Sequence, residues 1–192
     1  MFYYFAKYIV LAIIKIVFRI KVEGIQNIPE KGPIIICPNH ISLLDPPVIG
    51  ALINRRVYFM AKAELYKNPI LGFLLQKGLG AFPVKRGTAD FAAIKTALYY
   101  LKKGQAVGIF PEGTRSKNGK LKEAEAGVSL LAVKSHALVI PIGISGKYRL
   151  FSKINIRIGK PLSFDKYYKN RPSQKDLESI GKEIMDEISK LI

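Results

Sequence analysis

A histidine and an acid five residues apart set the first chemical option. The apolar run Pro33 to Cys37 leads straight into Pro38-Asn39-His40-Ile41-Ser42-Leu43-Leu44-Asp45-Pro46-Pro47. On one continuous helix, at about 100° per residue, His40 and Asp45 would point about 140° apart and never meet. The prolines change this. Pro46 biases Asp45 toward extended geometry and suits the first helical position, so Asp45 is expected as an N-cap with the loop from His40 folded back to it. A carboxylate placed there accepts the imidazole Nδ1 proton, fixes the tautomer and leaves Nε2 as a general base, which is the acid's role in a hydrolase triad. The bland alternative, an Asp that only caps a helix beside a structural histidine, fits these local residues at least as well.

Two further clusters offer anion chemistry. Phe110-Pro111-Glu112-Gly113-Thr114-Arg115-Ser116 follows a second apolar run. Gly113 permits close backbone approach, Thr114 and Ser116 carry hydroxyls, and Arg115 can grip a phosphate through two parallel hydrogen bonds. Lys117, Lys120 and Lys122 extend the positive field. In Gly80-Ala81-Phe82-Pro83-Val84-Lys85-Arg86-Gly87, Arg86 stands at a strand's end just before a helix. Each cluster taken alone also reads as a turn with solvated charges.

The elements that must position these residues alternate between strand and helix. Pro33 to Cys37 is too short for a helix and suits a buried strand, and a helix is expected from Pro46 to about Ile53. Strands are expected at Val57 to Ala61, Ala81 to Val84, Ala106 to Phe110, Leu138 to Ile144 and Ile154 to Ile158. Phe91, Ile94, Leu98 and Leu101 mark an amphipathic helix, with Thr88 as its N-cap and Asp90 in its first turn. Leu177, Ile180, Ile184, Ile188 and Leu191 share the face of another, opened by a capping box of Ser173 and Asp176. This order predicts an α/β fold with a mixed, largely parallel sheet flanked by helices, and ligands in such folds sit beyond the carboxyl ends of strands.

The first twenty residues are apolar and aromatic but are interrupted by Lys7, Lys15 and Arg19, so the longest uninterrupted apolar run, Tyr8 to Ile14, is seven residues. A spanning helix needs about 20 mostly apolar residues, which argues against a crossing. A signal peptide fits less well too, because no small-residue cleavage site follows. The three basic residues fall within roughly a third of the helix circumference, which predicts an amphipathic membrane-associating helix over residues 1–20 lying in the lipid interface, ahead of a catalytic domain over 21–192. The alternative is a core helix packed on the domain.

Composition bounds the partners. Lys and Arg total 31 against 14 Asp and Glu, a formal charge of +17, so an anionic partner is implied. One cysteine, Cys37, and two histidines exclude an internal disulfide and give no multi-cysteine zinc site, so no metal is expected.

In fixed order the three clusters resemble the 1-acyl-sn-glycerol-3-phosphate acyltransferase (PlsC-like, lysophosphatidic acid acyltransferase) family. Asn39-His40 with Asp45 looks like that family's N-H-x-x-x-x-D block. Gly80, Phe82 and Arg86 match its second block, Phe110 to Ser116 its F-P-E-G-T-R-S block, and Val139-Ile140-Pro141-Ile142 its hydrophobic-proline block. The blocks span about half the chain. One departure is visible: Glu125-Ala126-Gly127 stands where many relatives carry a lysine shortly before the glycine. His136 matches no block and reads as structural or surface.

The resemblance implies a glycerol-3-phosphate acyltransferase-like fold and acyl transfer from an acyl carrier protein or coenzyme A thioester to the sn-2 hydroxyl of lysophosphatidic acid, forming phosphatidic acid in phospholipid biosynthesis. Another lysophospholipid or glycerol 3-phosphate is the alternative acceptor. The thioester is a co-substrate and no cofactor is implied. His40 would act as general base oriented by Asp45, and an ordinary imidazole pKa of about 6.5 suits that work. The acceptor hydroxyl attacks directly, so Ser42 is not a nucleophile. Arg86 and Arg115 would bind the substrate phosphate, while Glu112, with Gly113 and Thr114, would contact substrate or order the loop. The expected site of action is the cytoplasmic face of the cell membrane, held peripherally or monotopically.

Two rivals stay distinct. A lipid hydrolase or thioesterase needs no phosphate clamp, so the arginines argue against it. A basic nucleic-acid-binding module would explain the charge, yet the basic residues carry no interleaved aromatic platform, zinc motif or helix-turn-helix pattern, and an apolar amino terminus has no purpose there.

Overall fold

A computed structural model of the chain describes residues 2–85, 90–116, 120–168 and 171–192. Strands β1 (Arg19–Glu23), β2 (Ile34–Pro38), β3 (Val57–Lys62), β4 (Phe82–Val84), β5 (Ala106–Gly108), β6 (Leu138–Gly146) and β7 (Lys153–Ile158) form one seven-stranded sheet in the order β1-β7-β6-β2-β5-β3-β4. Every pairing is parallel except the β6–β7 hairpin. The sheet is therefore mixed and largely parallel, as the strand–helix alternation predicts.

Helices cover both faces: α1 (Phe2–Val17), α2 (Asp45–Leu52), α3 (Pro69–Phe73), α4 (Phe91–Lys102), α5 (Ala126–Ser135) and α6 (Gln174–Lys190). Strand β2 shows how the layers form. Its side chains alternate in direction, so Ile35 and Cys37 enter the core beneath α4, α5 and α6, while Ile34 and Ile36 enter the opposite core with residues of α1 and α2. Both sides being covered explains why β2 is an unbroken apolar run, buried throughout. Helix α6 opens with the expected reciprocal box, Ser173 accepting from Asp176 N–H and Asp176 from Ser173 N–H. Helix α4 is capped by Asp90, whose carboxylate accepts from Ala93 N–H, rather than by Thr88; Thr88 and Arg86 lie outside the described residues.

The amino terminus corrects one expectation. Helix α1 ends at Val17, and Arg19 opens β1, paired with Lys153. Lys7 turns inward, is buried, and donates from Nζ to the Ile53 carbonyl, with burial pushing its pKa down. The basic stripe of Lys7, Lys15 and Arg19 therefore does not exist. Tyr3, Ile14 and the following Phe18 pack inward, whereas Phe5, Ile9, Ile13 and Ile16 are 63%, 44%, 52% and 74% exposed. The outward face of α1 is thus largely apolar, with exposed Lys15 as its one charge. No helix among the described residues is long and apolar enough to cross a membrane.

Candidate active site

The loop leaving β2 is shaped by one carboxylate oxygen. Asp45 Oδ2 accepts from His40 Nδ1 at 2.8 Å, from Ile41 N–H at 2.8 Å and from Ser42 N–H at 2.7 Å. The loop folds back as the prolines predict, but Asp45 is not the N-cap. It is the first residue of α2, the cap position falls on Leu44, and no side chain caps the helix. The reason is chemical: Pro46 and Pro47 bring no N–H, and Val48 N–H already bonds to Leu44 O, so a capping carboxylate has little to accept. Asp45 reaches backward instead.

His40 is 5% exposed and held from three sides. Its ring stacks on Phe110 with centroids 3.9 Å apart, its N–H donates to Glu112 Oε1 at 2.9 Å, and its carbonyl accepts from Ser116 N–H at 2.8 Å. Beside it the Asn39 amide pairs with both backbone groups of Ile144, which locks the loop to β6. With Nδ1 committed to Asp45, a neutral imidazole presents Nε2 as the proton acceptor. Cys37, the residue that could offer a thiolate, is buried with its thiol pushed up by desolvation, so it is no nucleophile.

Glu112 ties two loops together. Its Oε1 takes His40 N–H and its Oε2 takes Lys122 N–H at 3.2 Å, inside a buried position. Gly113 adopts a left-handed φ of 66°, and a Cβ there would come within 3.0 Å of Glu125 Cγ, so the glycine is required by both backbone and space. Glu125, where the resemblance would place a lysine nearby, thus packs beneath the Phe110–Ser116 loop. Thr114 accepts from Lys122 Nζ at 2.8 Å, and Arg115 stands exposed beyond it. The structure therefore unites His40, Asp45, Glu112, Gly113 and Thr114 with Arg115 at their rim, and Arg86 lies outside the described residues.

Two further residues join the site in roles without a signal in their local sequence, Asn39 through its amide clamp and Tyr148. Tyr148, on the β6–β7 hairpin, packs edge-on against Phe18 with centroids 5.3 Å apart, and its buried hydroxyl faces Asp45. Nothing in its local sequence marks it, because the contact depends on β6 lying beside β2.

Known proteins resemble this chain over most of its length. The family model described as Acyltransferase matches residues 19–145, more than half of the chain. A 1-acyl-sn-glycerol-3-phosphate acyltransferase of Bacillus subtilis is 32% identical over 179 residues, covering 90% of this chain and 87% of that protein. The chloroplastic 1-acyl-sn-glycerol-3-phosphate acyltransferase LPAT1 of Arabidopsis thaliana is 33% identical over 132 residues, 67% of this chain but 36% of that longer protein. The crystal structure of the 1-acyl-sn-glycerophosphate (LPA) acyltransferase PlsC from Thermotoga maritima superimposes with a TM-score of 0.70 at 26% identity, covering 97% of this chain and 81% of that one. The two loops that enclose His40 and Asp45 fall inside the matched region, and the chain belongs to the acyltransferase family.

Proposed function

We propose that the chain transfers a fatty acyl group from an acyl carrier protein or coenzyme A thioester to the sn-2 hydroxyl of lysophosphatidic acid, forming phosphatidic acid for phospholipid synthesis. The observation that carries this reading is the buried His40–Asp45 pair, 2.8 Å apart, in a chain with no competent thiol nucleophile and with Arg115 at the rim. His40 Nε2 takes the acceptor's hydroxyl proton as that oxygen attacks the thioester carbonyl, and the tetrahedral intermediate collapses by breaking the C–S bond. The proton returns from His40 to the departing thiolate. Asp45 holds the imidazole tautomer and stabilises the imidazolium formed in between. Arg115, with Arg86, binds the acceptor phosphate by charge-assisted hydrogen bonds.

The lipid acceptor is met at a membrane surface, and α1 supports that reading. Of the two lysines of α1, Lys7 is buried and Lys15 is exposed, and Lys15 shares the outward side with exposed Phe5, Ile9, Ile13 and Ile16, an apolar surface bordered by one positive charge. The basic chain lies on the anionic leaflet facing its thioester donors, the cytoplasmic one.

The test is an acyl-transfer assay with lysophosphatidic acid, other lysophospholipids, glycerol 3-phosphate and monoacylglycerol as acceptors, each with both thioester donors. Lysophosphatidic acid should be preferred, and equal rates on phosphate-free acceptors would contradict the reading.

A further inference from the structure

The turn joining β6 to β7 carries a surface that the acyl-transfer chemistry does not use. Leu150 and Phe151 stand side by side at its tip, 68% and 61% exposed. Lys147 and Arg149 precede them and Lys153 follows, all exposed. The tip is continuous with α1: Phe151 N–H donates to the carbonyl of Val17, the last residue of α1, at 2.7 Å, and Phe18 packs on Tyr148. Because β6 runs parallel to β2, the turn leaves the sheet at the edge where His40 lies.

We propose that this hairpin tip is a second membrane contact, with Leu150 and Phe151 entering the boundary between headgroups and acyl chains of an anionic bilayer. Lys147, Arg149 and Lys153 then meet lipid phosphates, which matches an apolar tip ringed by positive charge. A purely ionic partner would leave the two apolar side chains in water. Contacts at both α1 and the hairpin fix the protein's tilt and bring the His40 edge of the sheet to the lipid surface. The proposal rests on the reading of α1 as membrane-facing.

The chain has no tryptophan, so single-reporter variants test the proposal: Phe151→Trp at the tip, Phe5→Trp on α1, and Tyr99→Trp on the exposed side of α4 as a water-facing control. Each is mixed with phosphatidylglycerol vesicles carrying brominated acyl chains. Quenching with a blue shift is expected for Phe151→Trp and Phe5→Trp and not for Tyr99→Trp. Quenching of Phe5→Trp without Phe151→Trp overturns the hairpin contact and leaves the α1 reading standing; quenching of neither overturns both. Leu150→Ser with Phe151→Ser should weaken vesicle partitioning about tenfold or more.

At the base of the same hairpin two buried polar atoms lack a hydrogen bond: Asp45 Oδ1 and the Tyr148 hydroxyl. Burial first, and then the neighbouring Asp45 carboxylate, push the phenol's pKa up, so it keeps its proton. We infer that Tyr148 is a positioning residue, whose hydroxyl donates to Asp45 Oδ1 in the reacting enzyme and holds the other oxygen on His40. The titratable groups around the pair are His40, on the loop after β2, and Glu112, on the loop after β5, which reaches it through His40 N–H.

Tyr148→Phe keeps the ring against Phe18 and removes only the donor. Its kcat should fall about tenfold while KM for the acceptor stays within about twofold. The acid limb of kcat/KM should move to higher pH, because a carboxylate relieved of a donor holds the His40 proton more tightly. The imidazole titration followed by NMR, with two histidines in the chain, reads the same displacement whatever the acceptor, so it stands apart from the choice of lysophosphatidic acid. A titration and a kcat indistinguishable from those of the unsubstituted protein would overturn the role of Tyr148.

Discussion

His40 Nδ1 and the N–H groups of Ile41 and Ser42 all converge on one oxygen of Asp45, within 2.8 Å. The same bonds that wrap the loop also hold the His40 ring. Loop shape and imidazole tautomer are therefore a single feature, encoded in six consecutive residues.

His40→Ala should lower acyl transfer by roughly 10² to 10⁴-fold, the usual worth of a positioned base. Asp45→Asn should approach that loss, since an amide can keep the backbone bonds yet gives the imidazolium no negative partner. Because Asp45 does not cap α2, thermal unfolding of Asp45→Asn should reflect the loop and not helix fraying. Kinetics at saturating acceptor, beside a melting curve, check both; full activity in Asp45→Asn would leave the carboxylate a purely structural group.

Glu112→Ala strands the buried His40 N–H and frees the Lys122 segment. Stability should fall by about 1 to 3 kcal/mol, the cost of an unsatisfied buried donor. Glu112→Gln keeps an acceptor for His40 N–H but offers an NH₂ to Lys122 N–H when so oriented, so its loss should be smaller. Denaturant titration of the two variants separates them, and equal losses would mean that the bond to His40 N–H contributes nothing.

Arg115→Ala should raise KM for a phosphorylated acceptor about tenfold or more while KM for the thioester changes little, as expected for lost charge-assisted bonds. Lysine at this position should restore part of the effect, because it lacks the bidentate fork. A matched rise in KM for donor and acceptor would show that Arg115 serves the loop and not the phosphate.

Much of this was legible in the sequence. Buried parallel strands such as β2 and β6 announce themselves as β-branched runs, and α4 and α6 as repeats of three and four residues. Strand β1 was hidden because Arg19 and Lys21 continue the charge spacing of the helix before them. Helix α5 was hidden for the opposite reason: Val128, Leu131, Ala132 and Val133 are all buried, so no polar face reveals a period. Within the site, His40, Asp45 and the Phe110–Ser116 loop lie in short contiguous motifs. Asp45's true hydrogen bonds needed coordinates, since the pattern Asp-Pro-Pro reads as a cap until the missing N–H groups are counted. Tyr148 reaches Asp45 across two strands, and no local pattern carries such a contact.

Lys7 gives a pH-dependent test of the α1 packing. Burial depresses its folded-state pKa, so folding is opposed while both states are charged, and that penalty fades as pH rises from below toward the ordinary lysine value of about 10.4. Compared with Lys7→Met, the unsubstituted protein should gain relative stability as pH increases over this window. Parallel melting temperatures would mean that Lys7 is solvated in the folded state. Removal of residues 1–19 would strip Ile14 and Phe18 from the core, so membrane contact is better read from substitutions on the exposed face of α1.

The most direct test identifies the product. Purified protein is given a radiolabelled acyl thioester and lysophosphatidic acid in phosphatidylglycerol vesicles, and the label is followed by thin-layer chromatography beside His40→Ala. Label is expected in phosphatidic acid, lost with His40→Ala and with little free fatty acid. Label released mainly as free fatty acid, or phosphatidic acid formed equally well by His40→Ala, would contradict it.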